Sequence, residues 1–128
     1  ARGALDAATR ERIALAIANI NGCTYCNSAH TYLATNVAKL SPAEIDANRA
    51  GSSSDPKADA AVKLAVRIVR ERGHVSETDV QAAKAAGFSD AELVEIVAHV
   101  ALNTLTNYIN EVFNTEVDFP VVNAARAA

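Results

Sequence analysis

The sequence predicts an all-α protein, because the signals of helices recur along it and those of strands do not. Apolar residues repeat at intervals of three and four, as Ile13, Ile17 and Ile20 do. Serine followed three residues later by an acidic residue, a helix-start signal, recurs at Ser76 and Ser89. No segment alternates apolar and polar residues with a period of two, as a half-buried strand would. We therefore expect one helical domain over residues 1–128, with about six to seven helices.

The first two helices are delimited by a break at Asn21-Gly22. The first should cover residues 4–20, and its second half, Ile13 to Ala18, is apolar all round, so it should be buried on most sides. The second should follow the break and run to about Lys39. It contains both cysteines of the chain, and Cys23 should lie in or next to its first turn.

Caps and glycines delimit the remaining helices. Ser41, with Pro42 and Glu44 behind it, should begin a short helix that ends by Gly51. Residues 51–56 form a loop within the domain, and an amphipathic helix should cover 57–72. Two more helices should follow Ser76 and Ser89, the first stopping at Gly87, and the tail from Asp118 should be irregular.

Composition narrows the class of protein. The net charge of −3 comes without a basic cluster, which argues against a nucleic-acid surface. No apolar run reaches the roughly 18 residues of a membrane span, and no secretory leader is visible. Methionine is absent, so we expect the chain as given to lack N-terminal residues. Many of the apolar residues are alanine, which buries little surface, and we expect a homo-oligomer to complete the stability.

The stretch from Cys23 to His30 carries the reactive side chains. On a helix that advances about 100° per residue, Cys23, Cys26 and His30 fall within an arc of roughly 60°. Unpaired backbone N–H groups at the start of the helix would favour a thiolate at Cys23. Proximity to His30 would favour one at Cys26 instead. Two cysteines without partners elsewhere are not a secreted disulfide framework, which favours a cytoplasmic protein.

Four kinds of site contain a Cys-x-x-Cys pair. A c-type haem needs histidine where Asn27 stands, and a thioredoxin-like site needs a preceding strand. Zinc could take both thiolates and His30, with Glu11, His74 or His99 as a fourth ligand. A redox dithiol needs only the two cysteines and a proton carrier, which His30 could be. An inert buried pair is the remaining alternative.

The dithiol interpretation fits the reduction of a peroxide. A thiolate attacks the O–O bond and becomes a sulfenic acid while an alcohol leaves. The second thiol condenses with the sulfenic acid to a disulfide, which an external dithiol then reduces.

The spacing Cys23-x-x-Cys26-x-x-x-His30, with Glu11 twelve residues before Cys23, resembles the signature of the AhpD-like alkylhydroperoxidases of the carboxymuconolactone decarboxylase superfamily. The C-terminal run 95–103, with 107–110 and 118–120, supports the resemblance. It implies an AhpD-like helical bundle that reduces hydrogen peroxide or organic hydroperoxides. It also implies a homo-oligomer (dimer, trimer or hexamer) and a dithiol reductant such as a lipoyl group, with no metal or organic cofactor required.

The resemblance also implies roles for individual residues. Cys26 would be the peroxidatic cysteine and Cys23 the resolving one, and His30 would connect the thiols to the relay carboxylate Glu11. Tyr25 stands where some members carry a further histidine. Tyr25 and His99 are candidates to line the pocket.

Two alternatives stay open beside the peroxidase. One is a non-catalytic helical oligomer whose cysteines sense redox state or bind zinc. The other is a lactone-processing or decarboxylase-type relative. Asn103, Asn107 and Asn110 form a polar stripe on an apolar helix, which we expect to make helix-to-helix or subunit contacts rather than a site.

Overall fold

The computed structural model describes residues 2–125, and this range folds into helices without a strand, as predicted. Residues 1 and 126–128, which belong to the predicted domain, lie outside the described residues. Within that range the helices number six: α1 (Ala7–Asn21), α2 (Thr24–Asn36), α3 (Pro42–Arg49), α4 (Pro56–Arg70), α5 (Glu77–Ala85) and α6 (Asp90–Val112).

The central element is α1, which packs against α2, α3, α4 and α6. It begins at Ala7 rather than at residue 4, because Asp6 is its N-cap and accepts a hydrogen bond from the backbone N–H of Thr9 at 2.6 Å. Every residue from Ile13 to Ala18 is at most 2% exposed. The prediction that this half is buried on most sides is therefore correct.

The largest apolar cluster joins α1 to α4 and α6. Its members on these three helices lie on inward faces at helical spacing, and Phe88 closes the cluster from the loop before α6. The members on α1, α4 and α6 are Ile13, Ile17, Ala61, Leu64, Ala65, Ile68, Leu93, Ile96 and Val100, and Ala83 of α5 also belongs to the cluster.

The turn between α1 and α2 places the cysteines. Gly22 ends α1 in the left-handed conformation, with φ of 71°, and its N–H bonds back to carbonyls of the last turn. This conformation favours glycine, since a Cβ would strain it. Cys23 follows at once as the N-cap of α2. The sharp turn thus fixes where the cysteine pair begins.

The second helix ends earlier than predicted, at Asn36 rather than near Lys39. Lys39 is left-handed, with φ of 58°, and the N–H of Leu40 bonds back to the carbonyl of Ala34 at 2.9 Å. The chain therefore turns away before the helix can continue. Similarly α4 ends at Arg70, two residues before its predicted end.

The predicted caps are in place. Ser41, Ser76 and Ser89 each accept a hydrogen bond from the backbone N–H three residues on, and the last two form complete capping boxes.

The tail returns to α2. The ring of Phe119 lies against those of Tyr25 and Tyr32, and the backbone N–H of Val122 donates to Ser28 Oγ at 2.8 Å. The described part of the tail is irregular, as predicted, and it covers one face of the cysteine helix. Among the described residues, no helix is both long and apolar enough to cross a lipid bilayer.

Candidate functional site

The two cysteines form a disulfide at the start of α2. Cys23 is the N-cap and Cys26 lies in the first turn, with 5.3 Å between their Cα atoms. That separation is within the usual range for a disulfide. The backbone N–H of Cys26 donates to Cys23 Sγ at 3.2 Å. The cysteine sulfur thus takes the place that a serine or aspartate oxygen holds in most N-caps.

The cysteine pair is buried against α1. Cys23 is fully buried and Cys26 is 3% exposed, and both pack with Ala18 and the half-buried Tyr25. The pair is therefore shielded from bulk water.

Hydrogen bonds of two polar side chains, Asn27 and Arg49, hold the turn that carries Cys23. The side-chain amide of Asn27, fully buried, donates to the carbonyl of Cys23 at 2.8 Å. Its oxygen accepts from Arg49 Nε at 3.1 Å, and Arg49 Nη2 donates to the carbonyl of Asn123 in the tail at 2.6 Å. These hydrogen bonds connect α2, α3 and the tail next to the turn of the disulfide.

Glu11 and His30 meet across α1 and α2. His30 Nδ1 lies 2.8 Å from Glu11 Oε2, and the side chains are 23% and 20% exposed. His30 follows Cys26 by four residues, so the two side chains are neighbours on the surface of α2, with roughly 5–6 Å between Cβ atoms. The Glu11–His30 pair thus lies about one helical turn from Cys26 along α2.

A cavity of about 320 Å³ opens beside this pair, between α1, α2 and α6. Glu11 and His30 form part of its wall, and neither cysteine belongs to the wall as far as the described residues go. The remaining wall is mostly apolar. It consists of Ala7, Arg10, Ala14, Leu33, Val37, Ala38, His99, Leu102 and Asn103.

His99 lies in this wall, and its surroundings favour the neutral imidazole. Burial lowers its pKa, and repulsion from Arg10 lowers it further, while Glu95 and Glu11 partly offset both effects. Tyr25, the other pocket candidate, lies elsewhere, with its ring against Phe119. Desolvation and the neighbouring Asp118 carboxylate raise the pKa of Tyr25, so its hydroxyl remains protonated.

The three asparagines of α6 have separate partners. Asn103 Nδ2 donates to the carbonyl of His99 at 2.7 Å, and Asn107 Oδ1 accepts from Asn21 Nδ2 at 3.0 Å. Asn107 thus makes a helix-to-helix contact, as expected. Asn110 departs from the expectation that the stripe avoids the site, because its Nδ2 lies 3.3 Å from Cys26 Sγ.

The remaining zinc candidate, His74, is exposed in the turn after α4. Over residues 2–125, no three His, Cys, Asp or Glu side chains come close enough together to hold a metal ion.

Asn27, Arg49 and Asn110 are the site residues that the sequence did not reveal. Asn27 was visible only as the residue that excludes haem attachment, and Asn110 lay in a run that supported the resemblance. Nothing in the sequence marked Arg49, whose partners are 22 and 74 residues away.

The chain is thus an all-helical domain with a disulfide-bonded cysteine pair at the start of one helix and a carboxylate–histidine pair near it. The sequence model of the carboxymuconolactone decarboxylase family matches residues 1–71. The chain belongs to this family. The match includes Glu11, both cysteines and His30.

Solved structures show the same fold. One is the alkylhydroperoxidase AhpD core of an uncharacterized peroxidase-related protein from Ralstonia eutropha JMP134. It is 26% identical to this chain, with a TM-score of 0.79 over 88% of this chain and 60% of that one. Another, an uncharacterized peroxidase-related protein from Silicibacter sp. TM1040, is 19% identical, with a TM-score of 0.79 over 94% of this chain and 62% of that one.

This chain therefore spans about three-fifths of the length of these neighbours. No curated protein matches the sequence. The fold is AhpD-like, and it agrees with the family assignment.

Proposed function

We propose that the protein is a thiol-dependent peroxidase that reduces hydrogen peroxide or organic hydroperoxides. The observation that carries the proposal is the hydrogen-bonded Glu11–His30 pair one helical turn from a Cys23–Cys26 disulfide. Family membership and the description of the structural neighbours as peroxidase-related support it.

In the first step, the Cys26 thiolate attacks the outer oxygen of the peroxide. The O–O bond breaks, the sulfur becomes a sulfenic acid, and the other oxygen leaves as an alcohol or water after taking a proton. His30 is suited to take the proton from the Cys26 thiol and pass it to the leaving oxygen, because it contacts the cavity and also follows Cys26 by one turn.

In the second step, the Cys23 thiol attacks the sulfenic sulfur of Cys26. An S–S bond forms and water leaves, which gives the disulfide seen here. An external dithiol then reduces the disulfide by thiol–disulfide exchange, takes up the oxidation as its own disulfide, and restores both thiols. A lipoyl group is a dithiol of the required kind.

The cavity suits a substrate with a small apolar part. Its wall is apolar apart from the Glu11–His30 pair, Arg10, His99 and Asn103. An alkyl group in the apolar part would leave the hydroperoxide next to His30. The proposal places the reaction in the reducing cytoplasm, where dithiol reductants are present.

Self-association is part of the proposal, and α6 is the surface that supports it. Large apolar side chains are exposed along the outer face of this helix, and an exposed apolar surface of this kind often marks a protein–protein interface. We propose that a second copy of the chain covers the outer face.

The first experiment measures peroxide consumption with a dithiol reductant in the parent, Cys26→Ser and Cys23→Ser. We expect turnover by the parent, none by Cys26→Ser, and a single turnover by Cys23→Ser that stops as a sulfenic acid detectable by dimedone labelling. Reversed behaviour of the two variants would keep the activity and exchange the roles. A parent that is inert towards all peroxides and carries one zinc per chain would overturn the proposal.

A further inference from the structure

The sulfur of Cys26 receives a hydrogen bond from a distant part of the chain. Asn110, on the last turns of α6, donates from Nδ2 to Cys26 Sγ at 3.3 Å, although 84 residues separate them. This distance is within the range for an N–H donor to sulfur. The contact connects α6 directly to the redox centre.

The two sulfurs therefore have donors of different origin. Cys23 Sγ accepts from the backbone N–H of Cys26, which any sequence with this helix start would supply. Cys26 Sγ accepts from a side chain, which only an amide at position 110 supplies. Backbone geometry alone would favour a thiolate at Cys23, and Asn110 gives Cys26 a compensating donor.

The position of Asn110 is held by neighbouring contacts. Three residues earlier on α6, the fully buried Asn107 accepts from Asn21 Nδ2 at 3.0 Å, and the same amide of Asn21 lies 3.4 Å from Thr104 Oγ1. Asn21 is the last residue of α1, just before the turn to Cys23. The same contact thus anchors both α6 and the start of the cysteine stretch.

We infer that Asn110 is a positioning residue that stabilises the thiolate of Cys26 and so selects it as the attacking sulfur. An N–H donor binds a negatively charged sulfur more strongly than a neutral thiol, so it favours the ionised form. The consequence of this inference, that Cys26 is the attacking cysteine, rests on the proposed function. The effect on ionisation can be measured without any peroxide.

The experiment follows alkylation of Cys26 by iodoacetamide against pH, in a Cys23→Ser background that leaves one thiol. Asn110→Asp is nearly isosteric and replaces the donor by a carboxylate, while Asn110→Leu removes the donor without adding charge. We expect the midpoint of the pH profile to rise by about one unit or more in Asn110→Asp, which means roughly tenfold less thiolate at a pH below the midpoint. A smaller rise is expected in Asn110→Leu.

The control is Asn36→Asp, which adds the same charge at an exposed position near the end of α2 and should leave the midpoint unchanged. His30 and Glu11 are intact in every variant, so their contribution is constant. Circular dichroism at each pH verifies that the variants are folded, and Asn110→Ala replaces Asn110→Leu if the leucine variant does not fold.

The outcomes separate this inference from the proposed function. Equal midpoints in the Asn110 variants and the Cys23→Ser background would overturn the inference, even if the parent reduces peroxides. A raised midpoint in an enzyme without peroxide turnover would refute the proposed function and leave the role of Asn110 in thiol ionisation standing.

Discussion

His30 Nδ1 and Glu11 Oε2 lie 2.8 Å apart, joining two helices through residues 19 positions apart in the sequence. An ionised carboxylate can only accept, so Nδ1 is the donor in this contact and Nε2 is the ring nitrogen left for other partners. Glu11 thus fixes both the orientation and the tautomer of His30. A general acid or base that is held in position contributes about 10²- to 10⁴-fold to a reaction rate.

We therefore expect Glu11→Gln to lower kcat/KM for peroxide by about 100-fold, the lower end of this range because His30 itself is kept, while the protein remains folded. The glutamine is nearly isosteric but cannot stabilise a protonated His30, so the pH profile of the reaction should change shape as well. Steady-state assays from pH 5.5 to 9 measure both effects.

The matched control for this variant is Glu116→Gln, an exposed position outside the helices. Its profile should coincide with that of the parent. If Glu11→Gln also kept the parent's rate and pH profile, Glu11 would have no part in proton transfer.

Arg49 connects the cysteine turn to the tail, and lysine cannot replace it. Arg49 donates from Nε to Asn27 and from Nη2 to the carbonyl of Asn123, whereas a lysine has a single charged nitrogen. We expect Arg49→Lys to lower the free energy of unfolding by about 1–2 kcal/mol, the range for one or two lost hydrogen bonds. Urea denaturation measures the difference.

Arg70→Lys, an exposed position near the end of α4, is the control and should lie within about 0.5 kcal/mol of the parent. Should Arg49→Lys be equally stable, the contacts behind the disulfide would contribute nothing net to folding.

The helices were predictable because their signals are local. Ser41, Ser76 and Ser89 each act through a backbone N–H three residues on, so the sequence contains everything that the cap needs. The early end of α2 was not predictable in this way. The backbone at Lys39 is left-handed, and no glycine at that position indicates this in the sequence.

The candidate site was likewise predictable only where its residues are close in the sequence. Cys23, Cys26 and His30 share one helix, so their spacing alone brings them together. The periodicity of α6 places Asn107 and Asn110 on one side of a helix, but it does not say which helix that side meets. The contact of Asn110 with Cys26 depends on the packing of α6 against α2, which only the folded structure gives.

The carboxylate of Glu44 makes the stability depend on pH. Burial tends to raise its pKa, but hydrogen bonds from Ser53, Ser54 and Asn48 outweigh that effect and hold the pKa well below its usual range. Arg12 Nε also lies 2.9 Å from Glu44 Oε1. A carboxyl group with a lowered pKa in the folded state stabilises the protein above the unfolded pKa, near 4.3, and loses that effect as the pH falls towards the folded pKa.

We expect Glu44→Gln to destabilise the protein by about 2–3 kcal/mol at pH 7, since hydrogen bonds to a charged acceptor are lost. The difference from the parent should shrink by about 1.4 kcal/mol for each pH unit below about 4.3, as the unfolded parent gains its proton first. Unfolding by urea at pH 7, 4 and 3 tests the sign. A difference that stayed constant or grew towards acid would rule out a stabilising charge at Glu44, and Glu116→Gln should show no difference at any pH.

The outer face of α6 predicts self-association. Large apolar side chains on this helix are 46–75% exposed, and no Lys, Arg, Asp or Glu occurs between Glu95 and Glu111. Several of them repeat with heptad-like spacing, the pattern of a helix that packs along a second helix. The exposed large apolar residues of α6 are Val94, Val97, Leu102, Leu105, Tyr108, Ile109 and Val112.

We expect the parent to form an oligomer through this face, and Leu105→Glu to dissociate it or weaken it at least tenfold. Leu105 lies in the middle of the face, where a stable interface of about 800 Å² per partner would bury it and a carboxylate would be desolvated. Sedimentation velocity over a hundredfold range of concentration measures the change. Val121→Glu, an exposed apolar position in the tail, is the control and should associate like the parent. A parent that sediments as a monomer at every concentration, or a Leu105→Glu variant with unchanged association, would mean that α6 is not the interface.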